Sequence, residues 1–137
     1  MTERGLQIHE WYQEGYQPLL FHHDWMVALL NWEPLFDLAK LGEIERHNHT
    51  DEVFVLLQGT AFIFTIDEQG MQTEEMLLGV IYNVRQGTWH GLISTHDARW
   101  VIVENRDTHL NDCEFRRLGA AEQEQILANL PAWAIQE

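Results

Sequence analysis

One cysteine, Cys113, is all that the 137 residues contain, so no internal disulfide is possible and the fold has to rest on packing. A lone cysteine of this kind is usually an inert, small core residue. Basic residues are also scarce: 8 Lys and Arg stand against 22 Asp and Glu, for a net charge of −14. Such a surface repels a phosphate backbone, which argues against nucleic acid as a partner. No apolar run reaches the roughly 18 residues of a membrane span, and "MTERGLQIHEWYQ" has no apolar signal core, so a soluble cytoplasmic protein without membrane partners is expected. There is no internal repeat, low-complexity tract or linker, and the length suits one domain over 1–137.

What is present points to β-structure. Apolar residues make up 45% and aromatics 11%, a globular composition. Short runs rich in Val, Ile, Leu, Phe and Tyr follow one another: "MVALLNW", "GEIERHNH", "EVFVLL", "TAFIFTI", "GVIYNV", "TWHGLI" and "RWVIVEN". Regular short strands predict an all-β barrel or sandwich over 26–117. The breaks at Gln58-Gly59, around Gly70 and at 85–87 predict hairpins. Only "GAAEQEQILANL" has helical periodicity, with Ile126, Leu127 and Leu130 on one stripe and Pro131 ending it, so 118–137 is expected to form a short C-terminal helix and tail. Residues 1–25 are expected to form an N-terminal arm. The aromatic series running from Trp11 to Trp32 either packs on the outside of the barrel or crosses into a homodimer.

The chemistry concentrates in "ERHNHTDEVFVLLQG", residues 45–59. In an extended strand Glu45, His47 and His49 share a face, and after the "TD" turn Glu52 begins a strand whose Phe54 and Leu56 form an apolar floor. Farther on, "GTWHGLI" adds His90, with Trp89 facing the other way. Imidazoles and a carboxylate suit divalent Fe, Mn, Ni or Zn, with positions left for a substrate. A cation would also relieve the repulsion among the carboxylates.

These residues resemble a cupin. The first cupin motif is matched by Gly42, His47, His49, Glu52 and Gly59, the second by Gly79, Gly87 and His90, with Arg85 and Ser94 in place of the usual proline and asparagine. The resemblance implies a jelly-roll barrel and a metal site made of His47, His49, Glu52 and His90. Aligning backwards from Glu52 gives Glu45, His47, Glu52 and His90 instead. The first set is favoured for its nitrogen count. "ERH", "GTWH" and "NDCEF" are further similar to the ureidoglycolate lyase branch, which removes urea from an α-hydroxy acid. That likeness implies Glu45 or Glu52 as catalytic base and Arg46 or Arg85 beside the substrate carboxylate. The expectation is thus a metal-dependent lyase or isomerase acting on a small polar metabolite, a hydroxy acid or sugar derivative, with Phe54, Phe62 and Phe64 in the substrate wall. The alternative is a non-catalytic barrel that binds or senses a small molecule.

Overall fold

The computed structural model describes residues 4–135. Among these residues ten strands make two five-stranded antiparallel sheets. The strands are β1 (Gly15–His22), β2 (Trp25–Asn31), β3 (Glu43–Arg46), β4 (Glu52–Gln58), β5 (Ala61–Asp67), β6 (Gly70–Glu75), β7 (Ile81–Val84), β8 (Trp89–Ser94), β9 (Arg99–Asn105) and β10 (Glu114–Arg117). One sheet has the order β1-β2-β9-β4-β7 and the other β10-β3-β8-β5-β6. The all-β jelly roll with a helical C-terminus is therefore present. The α-helices among the described residues are α1 (Thr108–Asn111), α2 (Ala120–Ala128) and α3 (Ala132–Ile135), and none of these helices is long and apolar enough to cross a membrane.

Alternation explains the two apolar layers. Phe54 and Leu56 of β4, Trp100 and Ile102 of β9, and Ala61 and Ile63 of β5 point between the sheets and form the inner core. The unbroken run "AFIFTI" reflects a strand buried on both sides. Phe62 and Phe64 belong to a second cluster with Ile44, Ile93, Leu118 and Ile126, outside the second sheet and beneath helix α2 (Ala120–Ala128). Phe62, expected in the substrate wall, packs in this cluster and does not line the cavity that Phe54 borders.

The chain departs from the sequence expectations at several connections. The breaks at Gln58-Gly59 and at 85–87 are crossovers between sheets, because β4 and β7 lie in one sheet while β5 and β8 lie in the other. Gly59 is needed at the first: its φ is +82°, and a Cβ would come within 2.7 Å of the Ala98 Cα. Gly70, by contrast, does close the β5-β6 hairpin. Residues 15–22, expected within an arm, form edge strand β1 paired with β2. The polar strands β6 and β10 carry too little apolar residue to be visible by composition. In the C-terminal segment Ile126 is fully buried but Leu127 is exposed. The buried stripe runs instead through Ile126 and Leu130 to Trp133 of a further turn, α3 (Ala132–Ile135).

Candidate metal centre

Three strands deliver the site to one end of the barrel. Glu52 is the first residue of β4, and it enters the interior in phase with Phe54. His90 is the second residue of β8 and lies directly opposite Glu45 of β3, so both point inward. His47 follows the end of β3. Glu45, His47, Glu52 and His90 each offer one ligand atom, and these atoms all lie within 4.8 Å of one another.

His49 does not join them. Strand β3 stops at Arg46, and the backbone N–H groups of Asn48 and His49 donate to the Asp112 carboxylate at 2.8 and 2.9 Å. This clamp breaks the alternation, so His49 is exposed while His47 is buried. The structure thus brings together the second of the two ligand sets, with Glu45 in the place expected of His49.

Both imidazoles are held by their Nδ1 atoms. His47 Nδ1–H donates to the Asp112 carbonyl at 2.7 Å, and His90 Nδ1–H donates to the Thr88 carbonyl at 3.1 Å. Each Nε2 therefore faces the cluster, the orientation in which a ligating histidine is fixed by a partner on its other nitrogen. His47 Nε2 lies 3.0 Å from Glu52 Oε1 and is hydrogen-bonded to it. His90 Nε2 is also 3.0 Å from Glu52 Oε1 but stands off the hydrogen-bonding direction, and it is left buried without a hydrogen-bond partner. A buried polar atom in that position needs an explanation. A cation shared by the four ligand atoms supplies one, so the donor set fits a divalent metal.

The electrostatics without metal carry the same message. Burial opposes the charge on His47, yet the hydrogen bond and charge of Glu52 push it up to about 10. His90 is raised against its own burial by the adjacent Glu52 carboxylate and then by Glu45. Glu52, despite full burial, is drawn down to about 2 by the two imidazoles. Glu45 is raised, first by burial and then by the Glu52 charge. Positive charge is thus held next to Glu52 by protons in a place where a metal would hold it.

Residues not anticipated from the sequence complete the surroundings. Glu104 of β9 lies directly opposite Glu52. Its Oε1 accepts a 2.7 Å hydrogen bond from the Tyr16 hydroxyl. Its Oε2 is buried without a hydrogen-bond partner, 3.9 Å from His47 Nε2. Burial and the neighbouring Glu52 charge push Glu104 up to about 9. One signal existed: in "RWVIVEN" the glutamate is in phase with the inward-facing Trp100 and Ile102. Asp112, the clamp on His47 and the following turn, gave none, because only the fold brings residue 112 to residue 47.

Other expected participants lie elsewhere. Arg46 makes a two-pronged ion pair with Glu114 at 2.9 and 3.2 Å and stacks over Trp89, on the side of β8 away from His90. Arg85 is exposed in the β7-β8 crossover and does not line the cavity above the cluster. Phe54 does line that cavity, as does Phe64. Cys113 borders it too, its thiol pushed up to about 12 by burial and by the surrounding carboxylates, which suits an inert residue.

Comparison with solved structures identifies the architecture. The chain superposes on a cupin-2 domain containing protein from Shewanella frigidimarina with a TM-score of 0.52 and 23% identity, over 69% of this chain and 85% of that one. KdgF from Halomonas sp. matches with a TM-score of 0.52 and 18% identity over 74% and 92% of the two chains. This is a cupin fold. Oxalate decarboxylase from Lactobacillus farciminis also shares it, with a TM-score of 0.55 and 15% identity, covering 90% of this chain and 36% of that one. No protein-family model and no curated protein matches the sequence. In this barrel the His/Glu cluster that could hold a metal is walled by both sheets.

Proposed function

We propose that this cupin is a metal-dependent enzyme of the lyase or isomerase type, acting as a single-domain protein on a small molecule that presents an oxygen to the metal. The observation that carries the reading is the convergence of Glu45, His47, Glu52 and His90, with the His90 Nε2 buried and, although 3.0 Å from Glu52, without a hydrogen bond of its own. A divalent metal held there would act as a Lewis acid on a hydroxyl or carbonyl oxygen.

The four side chains have different parts in this reading. His47 and His90 are fixed from behind by backbone carbonyls and serve only as ligands. Glu52, fully buried between them, is a ligand and orients both rings. Glu45 is the member with an outlet: its side chain is 36% exposed and faces the cavity, 4.0 Å from His90 Nε2. With that outlet it could take a proton from a bound substrate, while His47, Glu52 and His90 would hold the metal. A hydroxy acid such as ureidoglycolate remains a candidate substrate, although Arg46 and Arg85 are not placed to meet its carboxylate. A homodimer is expected, with the N-terminal aromatics covered by the second copy.

The test is elemental analysis of the purified protein beside a His47→Ala, His90→Ala variant, followed by turnover assays on hydroxy acids and sugar derivatives, ureidoglycolate included. Stoichiometric Mn, Fe, Ni or Zn that is lost in the variant, together with product release, is the expected result. Absence of metal after reconstitution overturns the reading. Binding without turnover replaces it with a non-catalytic binding barrel.

A further inference from the structure

Both sheets of the barrel have an apolar outer face, and the chain covers only one of them. On the second sheet Ile44, Phe62 and Ile93 pack beneath the C-terminal helices. On the first, alternation turns Met26, Ala28 and Leu30 of β2 and Trp100 and Ile102 of β9 inward, so the residues between them point out. Register sets these outward residues in rows. Leu29, Val101, Val55 and Ile81 lie side by side across β2, β9, β4 and β7. Val27, Val103 and Val53 form the next row, which ends at Asn83. None of these seven apolar residues belongs to either core cluster.

Charge is missing from these rows, although the chain carries 22 Asp and Glu and 8 Lys and Arg. Arg99, the next outward residue of β9 beyond Val101, is tied down at the rim: its guanidinium donates to the Asn31 side chain at 2.9 Å and to the Trp11 carbonyl at 3.0 Å. Toward β7 the apolar surface goes on. Ile81 is 70% exposed, and Leu57 at the end of β4 and Val80 just before β7 are exposed as well. The contacts to Trp11 also fasten the N-terminal segment beside this face, and upstream of them Leu6 and Ile8 are exposed.

Strands about 4.8 Å apart with a rise of about 3.4 Å per residue make this face roughly 20 by 20 Å in projection. An apolar patch of that extent marks an interaction surface, and with the exposed N-terminal segment it is on the scale of the roughly 800 Å² that each partner of a stable complex buries. We infer that a second copy of the chain covers this face, the outward rows of β2, β9, β4 and β7 packing on the same rows of the partner. In a two-fold pair a patch meets itself, so any charge on it meets its like. The rows described have none, whereas elsewhere two chains of net charge −14 repel each other. A partner of unlike sequence would be chosen and oriented by complementary charge, which this face does not offer. The inference is independent of the metal-site reading and gives the expected homodimer its interface.

Analytical ultracentrifugation of the full chain over about 1–100 μM should give twice the chain mass. Raising salt from about 0.02 to 0.5 M should tighten the dimer, because screening removes the repulsion between the acidic chains and leaves the apolar contact. A Val55→Thr, Val101→Thr variant keeps the β-branched shape at two outward positions, so circular dichroism should be unchanged while the dimer weakens by at least about tenfold. A monomer at every concentration overturns the inference together with the homodimer reading and leaves the metal reading standing. A dimer that loosens with salt, or one of unchanged affinity in the threonine variant, overturns this inference alone and moves the contact off this face.

Discussion

Glu45 and His49 are separated by four positions and by the direction in which the chain turns between them. Glu45 still belongs to β3 and is registered against His90, whereas His49 lies past the point where Asp112 captures two successive N–H groups. Glu45→Ala should therefore weaken metal binding by at least about tenfold, and His49→Ala should leave it within about twofold. Competition titration with a chromogenic chelator measures both, and the reverse order would restore the nitrogen-rich ligand set. His47, Glu52 and His90, common to both alignments, were readable from spacing. The choice between Glu45 and His49 was not, because it depends on a clamp contributed by a residue more than sixty positions away. Glu104 was readable only as a glutamate at an inward position. Its directly opposed partner, Glu52, is a matter of strand register.

At the level of elements, the crossovers and the C-terminal helix decide whether the mouth is built. Gly59 joins β4 of one sheet to β5 of the other in a conformation that a side chain resists, with the Ala98 backbone pressed against it. Gly59→Ala should cost roughly 1–3 kcal/mol of stability in urea unfolding; a neutral result would mean that the crossover relaxes freely. Gly91 is a second such place: a Cβ there would run into the Phe64 ring, beside His90. Helix α2 is fastened by Glu122, which accepts from Arg116 at 2.8 and 2.9 Å and from the Gly119 N–H at 2.8 Å. The Arg116 hydrogen bonds, then that of Gly119, hold its carboxyl down at about 2. Because the folded value lies below the unfolded one, the stabilisation is complete above about pH 4.5 and fades as the pH falls toward 2. Glu122→Gln should thus lower stability by about 0.5–1 kcal/mol at pH 7 and by almost nothing near pH 2. A pH-independent difference in unfolding midpoints would assign the loss to packing instead. Hairpin against crossover is a distinction that turn residues alone do not make: Gly59 and Gly70 both take positive φ, and only the pairing partners of the flanking strands differ.

For the molecule as a whole, the candidate metal site draws its side chains from both sheets. Glu52 belongs to the sheet of β4, and Glu45 and His90 belong to the other. A cation bound by all of them should stabilise the folded barrel against separation of the sheets. At a metal concentration about 100-fold above Kd the gain is about 2.7 kcal/mol, which corresponds to a rise in Tm of roughly 8 °C for a domain of this size. Differential scanning calorimetry of chelator-treated and metal-loaded protein reads it directly, and the His47→Ala, His90→Ala variant should show no shift. An equal rise in that variant would place the bound metal elsewhere.

By itself, the sequence determined the all-β character, the two-layered burial of strands such as "AFIFTI", and three of the four side chains in the cluster. Alternation and spacing are local properties of an extended chain, and they act wherever that chain goes. Tertiary structure alone decided that Glu45 joins the site, that Asp112 fixes His47 from behind, that Arg46 and Arg85 point away, and that Phe54 but not Phe62 lines the cavity. Each of these depends on which strands become neighbours, and so on the register and crossovers that bring distant residues into contact.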